Sequence, residues 1–394
     1  MAVNALLTPS IITKETLVML ENNLVAAAKV NRQFENQFVK IGSTLTVRKP
    51  NRFTVTSGPG LSIQNITEPS TSITISNQKH VDFQFTSQDL TLTVEEFSER
   101  YLKPAAAELA NQLDYDVLTN FNQVANEVGT PGVVPANFQA LANVGQRMDE
   151  GAVPQDGRNL LLNPAAYWSI ANGLSGLFVR SVAEPALKGF LAAIANFEIY
   201  MDQNIQAQTV GAYAGAGAVN GAAQTGASLI TNGWTASIAN LLRAGDVFTI
   251  AGVFAVNPKS RQSTQALQNF VVTANVSSDA GGNATIGISP AITVTGPYQT
   301  VTASPANGAA ITVKGTASTA YAQNLAFVRD AFGLVTVPLE LPQGVDFGAR
   351  EMYKNISMRV IRAYDINNDV FPCRIDILYG TATFYQELAC RLTN

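Results

Sequence analysis

The sequence predicts an α+β fold that carries a small β-barrel as an insertion. Three observations predict it. After Thr93, apolar residues recur at Ala106, Leu109, Leu113, Val117, Phe121, Val124 and Val128, and steps of three and four turn one helical face toward a core. Between Leu45 and Phe85, apolar and polar residues alternate, the period of half-buried strands. From Gln206 to Ala320 the only charged residues are Arg243, Asp246, Lys259, Arg261, Asp279 and Lys314, and short strand patterns are separated by glycine turns. Such a stretch reads as a separate barrel or sandwich.

The totals set limits. A chain of 394 residues has room for two or three domains. Charged residues make up 14%, against about 25% in ordinary soluble domains, so much of the surface is uncharged and suited to burial against partners. The net charge of −4 and isoelectric point near 5.2 argue against tight nucleic-acid binding, which needs clustered Lys and Arg. His80 is the single histidine, which excludes a zinc site built on several histidines. It lies in a strand pattern beside Asp82 and reads as a strand-edge residue. Cys373 and Cys390 lack metal spacing and are expected to be buried free thiols. No apolar run approaches the roughly 20 residues of a membrane span, and Met1 to Asn4 lack the basic start of a signal peptide, so a cytosolic origin is expected.

Residues 1–42 read as an arm, with Thr13 capping a helix whose apolar positions are Leu17, Leu20, Leu24 and Ala28. Residues 43–80 read as a projecting hairpin with strands around Leu45–Val47, Phe53–Val55 and Ile73–Ile75, and a turn at Ser57-Gly58-Pro59-Gly60. A lone two-stranded hairpin is marginal in water, so it is expected to lie on a neighbouring copy. Its candidate interface residues are Arg48, Lys49, Arg52, Phe53, Leu61, Ile63 and Ile66.

The spine follows, a helix expected over 94–128. Thr93 and Glu96 form a capping box, and Glu95, Glu96 and Glu99 suit the positive end of the dipole. Gly129-Thr130-Pro131-Gly132 is its stop signal. At ~1.5 Å per residue it would run roughly 50 Å, close to the diameter of a compact chain of this length. Pro104 predicts a kink near Lys103–Pro104.

From 135 to 222 helices mix with short strands. Asn137–Asp149 is helical, Leu160–Leu162 is a buried strand, Asn163-Pro164 opens a helix, and Phe197–Met201 is a strand. The glycine- and alanine-rich stretch Ala212–Gly226 has the wrong spacing for a dinucleotide fingerprint and reads as a flexible linker. The inserted β-domain is expected over 223–323. Residues 324–394 return to the host. Their acidic loop Asp365–Asp369 lacks the glycine and glutamate of a calcium loop.

The order of these segments resembles the major capsid protein of tailed double-stranded DNA bacteriophages, the Hong Kong 97-type fold, and is most similar to the P22 coat-protein family. Four stretches carry the likeness: Arg243 to Val253 (RAGDVFTIAGV), Asn324 to Phe332 (NLAFVRDAF), Tyr364 to Asp369 (YDINND) and Arg374 to Gly380 (RIDILYG). With the segment order, it covers nearly the whole chain. It implies an N-terminal arm (1–42), an E-loop hairpin (43–80), a P-domain with its spine helix (81–134), an A-domain in two parts (135–222 and from 324), the inserted barrel (223–323), and closing P-domain strands before residue 394.

The resemblance further implies a virion protein assembled in the bacterial host cytoplasm. Many copies form pentamers and hexamers of an icosahedral head, by way of a procapsid made with a separate scaffolding protein. A portal protein and packaged double-stranded DNA, enclosed rather than read by sequence, are the other partners. No membrane, cofactor, metal or catalytic residue is implied. Some relatives bear a charged loop in the insertion that reaches the next capsomer; Ser228–Leu242 carries no charge. Some distant relatives crosslink Lys to Asn; Lys49 lies in the hairpin, without a recognisable glutamate partner. The competing readings are an encapsulin-type cellular shell, which cargo enzymes inside particles would reveal, and an adhesin built on the β-domain, which glycan binding would reveal.

Overall fold

The computed structural model describes residues 9–33, 44–64, 66, 68–86, 102–174, 194–345 and 347–394. The chain forms two compact units. The first holds Met1–Val47, Ser70–Val117 and Phe332–Ala382; the second holds Arg48–Pro69, Leu118–Ala331 and Thr383–Asn394.

In the first unit the helix Pro9–Asn23 buries Leu17 and Leu20 and packs on strands Phe347–Tyr353 and Ile356–Arg362. Its sheet runs Phe332–Thr336, Val370–Thr383, Ile356–Arg362, Phe347–Tyr353, and Asn77–Thr86 also pairs with Val370–Thr383. Within it the buried Asp376 carboxylate accepts from Arg359 Nε at 3.0 Å and from Gln78 Nε2 at 3.1 Å. Asp114, buried on the helix Lys103–Leu118, accepts from the backbone N–H groups of Val25 and Ala27, each at 2.7 Å. A carboxylate bound to two amides satisfies donors that the turn after the first helix would otherwise bury bare.

The expected spine helix is shorter at its C-terminal end. The α-helix is Lys103–Leu118; a 3₁₀ turn follows at Thr119–Gln123, and Glu127–Gly129 is a strand. That strand pairs in parallel with Arg391–Thr393. A sheet ladder has captured residues that periodicity alone assigned to helix. Phe121 and Val124 remain buried, so the apolar spacing marks burial, not helix. Gly129 is a sheet glycine, with φ +98° and a hypothetical Cβ only 2.5 Å from the Thr393 carbonyl oxygen. Leu102 is already helical and Pro104 follows as the second residue of Lys103–Leu118; the turn before Leu102, where the expected kink falls, lies outside the described residues. Thr93, Glu95, Glu96 and Glu99 lie outside the described residues.

The hairpin is also corrected. Thr44–Arg48 and Ser70–Thr74 pair as a two-stranded sheet, but Phe53–Val55 is not a strand.

In the second unit the host sheet runs Glu127–Gly129, Ala389–Thr393, Ala320–Val328, Arg158–Leu162, Phe197–Met201. Arg158–Leu162 is buried along its whole length, and its core is shared with the helices Phe138–Glu150 and Pro164–Gly173. Both helices start as the sequence predicts. The side chains of Asn137 and Asn163 accept from Ala140 N and Ala166 N, and Pro164 sits at the first position.

The insertion is a six-stranded barrel. Its order is Ile311–Val313, Val247–Val256, Ser263–Val272, Ala284–Ile292, Gly226–Trp234, Gly215–Val219. The two outer strands meet: Val219 N donates to Ala309 O at 3.0 Å and Gly308 N to Val219 O at 2.8 Å. Closure removes the exposed edges that an open sheet would present. Phe248 and Phe270 stack inside at 5.8 Å. The glycine-rich stretch expected to be a linker therefore contains a barrel strand, Gly215–Val219. Its glycines serve packing: a Cβ on Gly217 would lie 2.2 Å from the Trp234 indole. The chain leaves and re-enters the host through one ladder, where Thr209 faces Ala320 and Val210 N donates to Thr319 O at 3.0 Å.

Candidate functional site

The candidate site is the finger Arg48–Pro69 of the second unit. Lys49 N donates to Pro69 O at 2.8 Å and closes its base. Arg48 pairs with Glu68 at 3.1 Å across the shaft, in water, where such a pair contributes little. Midway, Thr54 N donates to Gln64 Oε1 at 2.8 Å, and Gln64 Nε2 donates back to Thr54 O. This side-chain crosspiece stands in for a strand ladder. Gly58, with φ +103°, supplies the left-handed backbone of the turn.

The finger's root lies on its own unit. Arg52 Nη2 meets Glu387 Oε1 at 2.9 Å, and Arg52 N donates to the Tyr298 hydroxyl at 3.3 Å. Arg261 Nη2 donates to Phe53 O at 2.9 Å. The Lys49 ammonium sits 5.0 Å from the Tyr385 ring centre. Burial lowers the Lys49 pKa, and the Glu387 carboxylate opposes that shift. Beneath the root is a cavity of about 1030 Å³ whose walls include Asn51, Arg147, Glu150, Tyr298 and Gln299.

Past the crosspiece the tip carries three bare aliphatic side chains, and a fourth lies just below it. Val55 is 96% exposed, Leu61 89%, Ile63 82% and Ile66 69%. Scattered apolar surface is ordinary, but four bare aliphatic side chains on one short loop are more concentrated than a chain surface usually shows. The structure thus divides the sequence-predicted set. Lys49, Arg52 and Phe53 form the root, Arg48 lies on the shaft, Leu61 and Ile63 are on the tip, and Ile66 lies just below the crosspiece on the returning arm. Tyr298, Arg261, Tyr385, Glu387 and Gln64 were not predicted. Arg261 alone carried a signal, as one of the few charges in the barrel.

A second set of residues fixes the barrel to the host sheet. The buried Asp246 carboxylate accepts from Arg243 N, Gly211 N and Gln208 Nε2, each at 2.8 Å. Burial pushes its pKa up, and those hydrogen bonds hold it down in part. The buried Arg391 guanidinium donates to Val124 O and Gly245 O, each at 2.8 Å, and lies 5.7 Å from the Phe121 ring centre. Lys314 Nζ and Asn269 Nδ2, both from the barrel, donate to the Glu127 carbonyl at 2.7 and 3.0 Å.

In the first unit His80 Nδ1 lies 2.8 Å from Asp82, which also receives Arg374 at 2.8 and 3.0 Å. The Arg374 hydrogen bonds hold the Asp82 carboxyl below its ordinary range. Among the described residues no group of three His, Cys, Asp or Glu side chains is placed to hold a metal ion, and no helix is long and apolar enough to cross a membrane.

A family model described as P22 coat protein, gene protein 5, matches residues 1–390. Among solved structures the chain is similar to one from Mycobacterium phage Che8, with a TM-score of 0.51 at 12% identity over 94% of this chain and 90% of that one. The capsid of cyanophage P-SCSP1u gives 0.44 at 9% identity, covering 90% and 83%. The mature capsid of bacteriophage PhiM1 gives 0.40 at 10%, covering 89% and 81%. The likeness to the Che8 structure is one of fold, the Hong Kong 97-type α+β capsid fold. No curated protein matches.

Proposed function

Since this chain belongs to the P22 coat protein family and is a phage major capsid protein of the virion shell, we propose that its copies join as pentamers and hexamers through the finger tip. In this reading Leu61 and Ile63 on the tip and Ile66 just below it are covered by a neighbouring copy, while Lys49, Arg52 and Phe53 hold the root. The first unit is the peripheral P-domain with the arm, and the second carries the A-domain and the barrel. A separate scaffolding protein guides a procapsid, a portal protein fills one vertex, and double-stranded DNA is enclosed.

The observation that carries this reading is the bare aliphatic tip on a seated root. Each contact is small, but one subunit touches several neighbours, so avidity accumulates. The acidic net charge leaves DNA enclosed rather than gripped; duplex binding with a steep salt dependence would contradict that. The test is negative-stain electron microscopy of the expressed full chain, alone and with its phage's scaffolding protein. Closed shells of uniform diameter are expected. A chain that stays monomeric in both mixtures would refute the proposal.

A further inference from the structure

The inserted barrel supplies two of the groups that seat the finger. Tyr298 accepts from the N–H of Arg52, and Arg261 donates to the C=O of Phe53. These are backbone groups of consecutive residues. Gripping a donor and an acceptor so close together fixes the direction of the chain as well as its position, as a neighbouring strand would. Glu387 holds the Arg52 side chain from the C-terminal turn, and the Arg52 guanidinium lies 5.8 Å from the Tyr298 ring centre. The cavity beneath means that polar points, not a packed apolar core, hold the root. Past Thr54 and Gln64 the tip is bare.

We propose that the barrel aims the finger: Arg261 and Tyr298 are positioning residues that set the direction of Arg48–Pro69 before a neighbouring copy arrives. The inference rests on the shell reading above. Its physical content is preorganisation. A loop already pointed in its bound direction loses less conformational freedom on docking than a free one. Discrete polar contacts, part-exposed, also let the root give slightly where pentamer and hexamer geometry differ.

The test is hydrogen exchange by mass spectrometry on unassembled full-length subunits, followed by assembly of the same preparations. Tyr298→Phe removes the acceptor for the Arg52 amide, Arg261→Met removes the donor to Phe53, and Glu387→Gln removes the charge facing Arg52. Each is expected to speed exchange of the amides around Arg52 about three- to tenfold, as part-exposed polar contacts allow. Exchange within the barrel strands and Trp234 fluorescence should stay at wild-type values. Shells from the variants should form several-fold more slowly and with mixed diameters. The charge swap Arg52→Glu with Glu387→Arg should restore slow exchange near residue 52, which a merely structural loss would not. Unchanged exchange in all three single variants would overturn the proposal, as would a released finger with wild-type assembly rate and diameter. The exchange measurement needs no shell, so it decides the seat by itself; a wild-type chain that never assembles would overturn the shell reading instead.

Discussion

Arg391 donates from Nη1 to the carbonyl oxygen of Gly245 at 2.8 Å, tying the last strand of the host sheet to the turn that opens the barrel strand Val247–Val256. Arg391→Met leaves the carbonyls of Val124 and Gly245 without this donor. The expected loss is about 3 kcal/mol, the scale for breaking a buried charged network, read by urea denaturation of the full chain. Arg391→Lys should recover little, because an ammonium cannot reproduce the planar fork that reaches both carbonyls.

Gly217 lies against Trp234, where a Cβ would approach the ring to 2.2 Å. Gly217→Ala should cost about 1–3 kcal/mol by overpacking and shift Trp234 fluorescence. Gly145 is the control. It is inside the helix Phe138–Glu150, where an added Cβ meets only Phe197 at an ordinary 3.7 Å. Gly145→Ala should be neutral or stabilise by up to about 1 kcal/mol.

Cys373 and Cys390 are free and buried. Burial raises their thiol pKa from 9.0 to about 11 and about 12 respectively. The folded state therefore holds these protons more tightly than the unfolded chain does. The stability this gives is complete below about 9 and is lost as pH rises through 11 and 12. At pH 8 neither thiol should react with iodoacetamide in the native chain, and both should react in urea. Stability should fall in an alkaline titration from pH 9 upward, and Cys390→Ala should flatten part of that fall.

The bare aliphatic residues of the finger, at and just below its tip, should separate folding from assembly. Leu61, Ile63 and Ile66 touch little in the single chain, so replacing all three with Ser should change subunit stability by no more than about 0.5 kcal/mol. Sedimentation should show the loss of shells, with soluble subunits remaining. Wild-type particle yield from this variant would refute the tip's role.

Much of this fold is readable from residue pattern. The scarcity of charge between Gln206 and Ala320 marks the insertion, because a small barrel with few charges differs in composition from its host. Asn163-Pro164 marks a helix start for a purely local reason. The misread parts depend on distant partners. Glu127–Gly129 becomes a strand because Arg391–Thr393 lies beside it, and no window around residue 127 contains that information. Gly215–Val219 looks loose until Trp234 covers Gly217. At the finger, the apolar tip is visible as aliphatic residues around a glycine turn. Its seat is not, since Tyr298 and Glu387 lie 246 and 335 residues from Arg52 in sequence.

The paired stem at Thr209 and Ala320, with Val210 bonded to Thr319, has a genetic corollary. Ancestors could have gained or shed the whole insert in one in-frame event, since the stem's two ends already sit side by side and a short turn would reseal them. Shedding it now would leave scars: Arg391 would lose one of its carbonyl acceptors and the Glu127 carbonyl its two barrel donors. A lineage that dropped the insert would be expected to replace Arg391 as well.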